Sequence, residues 1–416
     1  MADIDKAINV EEQIDFQVRN RTKGIDVEVD VTEENPEMDS FEQMEDGNIA
    51  FGNTLPSVED PEDFYANLAD LMDDSDLNSV KNDLMGNIED DKESRSDWEK
   101  TYRDGLEYLG MKSEERTQPF EGASGVMHPL LAESVTQFQA QAYNELLPSQ
   151  GPVKTQVLGV TTPDTEAQAS RVQEFMNYQL MQVMKEYDSE TDQMLFYLPL
   201  SGSAFRKVYY DQNLGRAVSK FIPSEDLIVP YSATDLHSAN RITHVINMSI
   251  NDIRKSQQTG FYSDVNVDSG NMLAEDLDGI QEEIDNLQGV SPSYGDDDMC
   301  KVHEVHTELD MPGFEDLDAE GEETGIKLPY IVTIANNKVL AIRRNYKEDD
   351  QLKQRINYFV HYKFLPGLGF YGFGLTHMIG GLSKAATSIL RQLIDAGTLS
   401  NLPAGFKARG IRIRND

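Results

Sequence analysis

The hydrophobic period of this chain changes near residue 200, and that change constrains the fold more than any other feature. Upstream, apolar residues recur at helical spacing. In WEKTYRDGLEYLG, Trp98, Tyr102, Leu106 and Leu109 fall on one stripe and Gly110 supplies a stop. In HPLLAESVTQFQAQAYNELLP, Leu131, Val135, Phe138, Ala142 and Leu146 trace one face of a 3.6-residue period. Pro129 suits the first helical position, because its missing N–H has no intrahelical partner there, and Pro148 with Gly151-Pro152 ends the run. The opposite face carries Glu133, Gln137, Gln139, Gln141 and Asn144, which suits a packed polar neighbour as well as water. A further helix is predicted over TTPDTEAQASRVQEFMNYQLMQVMKEY, capped by Thr162, started by Pro163, with Val172, Met176, Leu180, Val183 and Tyr187 as its buried stripe. Downstream the runs AFRKVYYD, RAVSKFIP, ITHVINMSI, CKVHEVHTEL, YIVTIAN and KVLAIRRN are aromatic and β-branched, the first two joined by DQNLG and the last two by Asn336-Asn337. A helical layer over 96–190 followed by antiparallel strands over 200–365 specifies an α+β fold. A last helix is predicted from about Leu375 to Ala396.

Charge narrows the function classes. The chain of 416 residues carries 36 Lys and Arg against 74 Asp and Glu, a net of −38, so as a whole it is no basic nucleic-acid binder. Residues 1–100 hold 30 acidic and 8 basic residues, a net of −22. The first 90 residues read as a largely disordered acidic arm, since their sparse apolar residues cannot offset the entropy of ordering. Residues 264–299 form a second acidic segment, read as an exposed loop with at most one short helix. The lone Cys300 excludes an internal disulfide framework. No apolar run approaches the ~18 residues of a membrane span, and MADIDKAINVEEQIDF lacks the features of a signal peptide, so a soluble chain made inside the cell, without membrane contact, is expected.

Two motifs resemble chemical sites. Gly367, Gly369 and Gly372 match G-x-G-x-x-G between a strand-like run and a helix, the context of a dinucleotide loop in an oxidoreductase. The next candidate strand, GIRIRND, is basic where a ribose-binding acid belongs, and two aromatics crowd the loop, so a structural glycine turn is favoured. Cys300, His303 and His306 form C-x-x-H-x-x-H, but on a strand residues three apart point to opposite faces and cannot converge on zinc. Asp296, Asp297 and Asp298 lack the ligand spacing of a calcium loop. No catalytic triad, Walker loop or H-E-x-x-H is present, and neither an enzyme nor a cofactor is expected. The final 16 residues place Lys407, Arg409, Arg412 and Arg414 against Asp416 alone, a local net of +3 alternating with Phe406, Ala408, Ile411 and Ile413.

From Trp98 onward the chain resembles the portal, or head-to-tail connector, proteins of short-tailed bacteriophages. The resemblance is carried by WEKTYRDGLEYLG, PFEGASGVMHPLLAESVTQFQAQAYNELLPSQGPVKTQVLG, QASRVQEFMNYQLM, LPLSGSAFRKVYYD, FIPSEDLIVPYSATDL and GFYGFGLTHMIGGLSKAATSILRQLIDAGTLSNLPAGFKARG. It implies a homo-oligomeric ring of about twelve subunits at one capsid vertex of the virion. It further implies a portal wing over 91–365, a glycine turn and first stem helix over 366–400, and the start of a clip over 401–416. The implied partners are the terminase large subunit, capsid and scaffold proteins, neck and tail adaptors, and double-stranded DNA passing non-specifically through the channel. Portals of this type continue through the rest of the clip, a returning stem helix and a channel loop, so the sequence resembles an N-terminal portion, and no residue is assigned to the channel loop. Small residues on the stem helix, Gly380, Gly381, Ser383, Ala385 and Ala386, are expected at subunit contacts, with Lys384 and Arg391 as polar projections. The basic strip Lys407, Arg409, Arg412 and Arg414 is expected to meet the packaging motor rather than grip DNA, because each fixed phosphate contact would add friction. A different virion adaptor or scaffold protein shares the same mixture of helix and strand.

Overall fold

The computed structural model describes residues 64–111, 116–211, 214–267, 279–290, 299–317, 323–367 and 369–401. The predicted α+β class holds: helices precede two antiparallel sheets, and a long helix follows them. Order starts well before residue 90. Helix α1 (Asp74–Ser94) buries Leu84 and Ile88, and ahead of it a short turn buries Leu68. The acidity of this stretch conceals an apolar stripe, Leu77, Val80, Leu84 and Ile88, that packs on the larger sheet. The expected disordered arm is therefore corrected for residues 64–90; residues 1–63 lie outside the described residues.

Helix α2 (Ser96–Glu107) buries Tyr102 and Leu106, joined by Leu109 beyond its end, and Gly110 at φ 69° stops it as expected. Helix α3 (Leu130–Leu146) starts one residue later than predicted, with Pro129 as its cap, and completely buries Leu131 and Val135. Of its polar face, Gln139 donates to Asp192 Oδ1 at 2.8 Å, whereas Glu133, Gln137, Gln141 and Asn144 are exposed, Asn144 donating to Ala140 O of its own helix. Helix α4 (Pro163–Tyr178) has the predicted Thr162 cap, closed reciprocally with Thr165. It ends in a π-helical turn, Gln179–Val183, short of the predicted Tyr187. Tyr187 instead opens α5 (Tyr187–Ser201), a helix the periodicity does not announce because it is apolar on several sides; Gly202 at φ 86° ends it.

The three-stranded sheet has the order β2-β1-β8, from β1 (Ser203–Asp211), β2 (Arg216–Ile222) and β8 (Phe359–Lys363). The five-stranded sheet runs β3-β4-β5-β6-β7 through β3 (Leu227–Ile228), β4 (Arg241–Ser249), β5 (Met299–Leu309), β6 (Leu328–Ala335) and β7 (Lys338–Arg344). Asn336 and Asn337 make the predicted tight turn, both at positive φ. Helix α6 (Ile250–Gln258) follows β4, and α7 (Gly279–Gln288) sets Ile280 and Ile284 against α2. The outer edge of β7 is capped by Asn67, which accepts from Ile342 N at 2.9 Å and donates to Leu340 O at 3.2 Å, and by Ser263, whose N–H donates to Leu340 O at 2.8 Å. Helix α8 (Leu375–Asn401) outruns its predicted end, and among the described residues no helix is long and apolar enough to cross a membrane.

Candidate assembly interface

The base of α8 is fixed by close backbone approach. Around Gly202, a side chain at Gly372 would collide with the Gly202 carbonyl, and one at Gly374 would lie 2.5 Å from Leu200 O. Thr376 donates to that same Leu200 carbonyl at 3.0 Å, and Gly105 of α2 leaves room for the Thr376 side chain. Farther along, an extended segment runs antiparallel to α8 and is pinned by side chains four residues apart. His128 N donates to Thr387 Oγ1 at 3.0 Å, Arg391 Nε donates to Val126 O at 2.8 Å, and Ser124 N donates to Asp395 Oδ1 at 2.7 Å. The match is metrical, since four helical residues rise about 6 Å and two extended residues span about 6.6 Å. The glycine-rich lead GASGVMH thus serves as a strap along α8.

Helix α4 has the same arrangement. Val153 exchanges two hydrogen bonds with the Asn177 side chain, at 2.9 and 3.2 Å, and Thr155 donates to Ala169 O at 2.9 Å and to Gln173. Gly151, at φ 93°, gives the segment the room it needs beside Asn177. Both helices therefore turn small or polar residues inward: Thr165, Ala169, Gln173 and Asn177 on α4, and Gly380, Ser383, Thr387 and Asp395 on α8. Apart from Leu375 and Ile379 at the base of α8, which pack on the core, many of their apolar residues face out. On α4, Val172 is 54% exposed and Phe175 60%, and no residue of the helix is buried; on α8, Leu382, Ile389 and Leu393 are 62%, 66% and 70% exposed. The expected buried stripe of α4 is overturned at Val172 and Met176, because the strap claims the inner face with hydrogen bonds.

The predicted contact residues of α8 divide between two faces. Gly380 and Ser383 face the chain's own body, Gly380 against the Tyr108 ring; Ala386 is half-buried, and Gly381 and Ala385 are exposed. Lys384 and Arg391 are not free projections. The Lys384 ammonium sits 5.7 Å from the Tyr108 ring centre, where the Tyr108 hydroxyl raises its pKa, and Arg391 binds the strap. Lys407, Arg409, Arg412 and Arg414 lie outside the described residues.

The two chemical motifs take structural places. Phe370 is buried on Phe205 and His361, and Tyr371 stacks on Trp98 at 4.3 Å while its hydroxyl meets Arg95, so the glycine loop's aromatics fill core space and its backbone abuts Gly202. Cys300 and His306 share one face of β5 but are too far apart to share an ion, and His303 points to the other face. His306 instead belongs to a charged cluster between the sheets, where Glu304 accepts from Lys207 of β1 and from His306, each at 2.6 Å. Burial pushes the Glu304 carboxyl up, but Lys207 and the two hydrogen-bonded or neighbouring imidazoles outweigh it and hold it well below the usual carboxylate range. Burial, then the Lys207 charge, lowers His244 to about 3, and burial also lowers His306 despite Glu304. The cluster is packed between strands and joins the sheets.

No protein-family model matches the chain, and no curated protein matches it. Sequence reasoning selected the small residues of α8 and missed its strap and outward apolar row. The signal was present as polar rows at strict four-residue spacing, Ser383-Thr387-Arg391-Asp395 and Thr165-Ala169-Gln173-Asn177.

Proposed function

We propose that this chain is a phage portal subunit. In this reading it forms a homo-oligomeric ring at one capsid vertex, conducts DNA during packaging and ejection, and docks the terminase motor and the neck proteins. The observation that carries the proposal is the inverted polarity of α4 and α8: two helices that turn apolar rows to the outside suit a chain whose surface is interior to an assembly. The sequence resemblance from Trp98 onward supports the same reading, as does the net charge of −38, because acidic walls hold phosphates weakly and let a duplex slide. The wing corresponds to α2 through β8, and α8 to the stem helix beside the channel. A second reading, a dinucleotide loop at Gly367, Gly369 and Gly372, has less support, since Gly372 packs against the Gly202 carbonyl. Negative-stain imaging with mass photometry of the purified chain tests the proposal. Closed rings of about twelve copies are expected; a monomer at every concentration would refute it.

A further inference from the structure

We infer that α8 is a latched lever, with Gly380-Gly381 as its hinge and the 124–128 strap as its latch. Three features meet at one point along the helix. The first is where apolar anchoring stops. Leu375 and Ile379 pack with Leu131, Val135 and Leu200, and Thr376 is buried on Leu200 O. Beyond Gly380 the buried residues of α8 are Ser383, Thr387 and Asp395, all polar. No side chain of 382–401 joins a hydrophobic cluster among the described residues, although this stretch is about 30 Å of helix.

The second is the chemistry of the ties that hold this stretch. His128 N, Val126 O and Ser124 N meet Thr387, Arg391 and Asp395, and Lys384 rests on the Tyr108 ring. Water replaces each partner when such a bond opens, so the net cost of parting is small, whereas parting apolar surfaces costs in proportion to their area. The third is the glycine pair. Neither residue has a positive φ, and space requires neither: a methyl at Gly381 would meet nothing within 4 Å, and one at Gly380 would make an ordinary 3.5 Å contact with the Tyr108 ring. At Gly372 and Gly374 close backbone accounts for the residue; at 380 and 381 it does not. Adjacent glycines inside a helix lower its propensity and are a site of bending. The lever belongs to the single chain and does not depend on the ring reading. In a ring it would let the far end of α8 change its angle while the sheets stay fixed.

Spin-label distances by double electron–electron resonance test this. Labels are placed on Leu399→Cys, near the far end of α8, and on Tyr231→Cys, both exposed, in the full chain. The unsubstituted chain, whose Cys300 is buried, controls for stray labelling, and an excess of unlabelled chain keeps each measured pair within one copy. A main distance with a minor displaced fraction is expected. Thr387→Val with Asp395→Ala should raise the displaced fraction about fivefold or more by removing two ties. Gly380→Ala with Gly381→Ala should reduce it, and circular dichroism should show the same helix content in all three chains. One narrow distance common to all three would overturn the lever. A displaced fraction that comes with loss of helix content would also overturn it, since the far half would then melt rather than swing. A fraction that the two alanines leave unchanged, with fewer oligomers by mass photometry, would overturn the hinge and assign the glycines to contact with a neighbouring copy.

Discussion

His244 sits on β4 beside Lys207, Glu304 and the Phe359 ring, and its Nδ1 has no hydrogen-bond partner among the described residues. With His361, also lowered to about 3, and His303, lowered to about 4, it makes the fold acid-sensitive; burial is the main cause in each. An unfolded imidazole binds a proton near pH 6.5, and these folded ones do not until far lower. Stability is therefore complete above pH 6.5 and falls as the pH drops toward 4, by on the order of 1 kcal/mol per pH unit for each imidazole. Thermal melts between pH 7 and 4.5 should show Tm falling, and His244→Phe should flatten that fall by one imidazole's share. An unchanged slope would show that His244 is protonated in the fold. At this scale the sequence was partly legible. Strand alternation separates His303 from Cys300 and His306, but the partner of Glu304 is 97 residues away on another sheet, and only the fold brings Lys207 to it.

Helix α4 depends on its cap and its strap. Thr162 accepts from Thr165 N and the Thr165 hydroxyl bonds back, which satisfies donors that the helix leaves open. Thr162→Ala should cost about 1 kcal/mol locally. Because no α4 residue is buried, hydrogen exchange over 163–178 should accelerate while the global Tm stays constant. A large drop in Tm would show that α4 is integral to the core. The base of α8 should behave oppositely. Gly374→Ala puts a methyl 2.5 Å from Leu200 O, a contact with backbone that no rotamer relieves, so it should destabilise the fold by about 3 kcal/mol or more in urea titrations. Most elements of the fold were legible because the change of hydrophobic period is strong and turns such as Asn336-Asn337 are chemically explicit. The directions in which α4 and α8 face were not. Periodicity identifies the apolar side of a helix and is silent about whether the chain itself or a neighbour covers it.

The whole molecule is acidic, with a net charge of −38. Each fixed cation that meets a phosphate adds salt-dependent affinity, and a chain so charged repels the duplex as a body. The chain should therefore shift no duplex DNA in gels run at about 0.15 M salt, where screening acts over about 8 Å. Retention of DNA under those conditions would mean that a local basic surface outweighs the field of the whole. Average charge was also what hid the start of the fold. The composition of the first quarter reads as disorder, yet Leu68, Leu84 and Ile88 are enough to bring residues 64–94 onto the larger sheet.

Asn67 gives that early start a further consequence. Its side-chain amide occupies the outer edge of β7 as one residue of an additional strand would, and next to it Arg343 and Arg344 hold the carbonyls of Tyr65 and Phe64. A chain shortened beyond Asn67 would leave the Ile342 amide without its partner on that edge, with only Ser263 still seated on the Leu340 carbonyl. Such an edge is a template for its own kind. Its failure would take the form of seeded fibre growth rather than simple melting, which makes the root of the acidic arm the molecule's stopper against polymerising through its sheet.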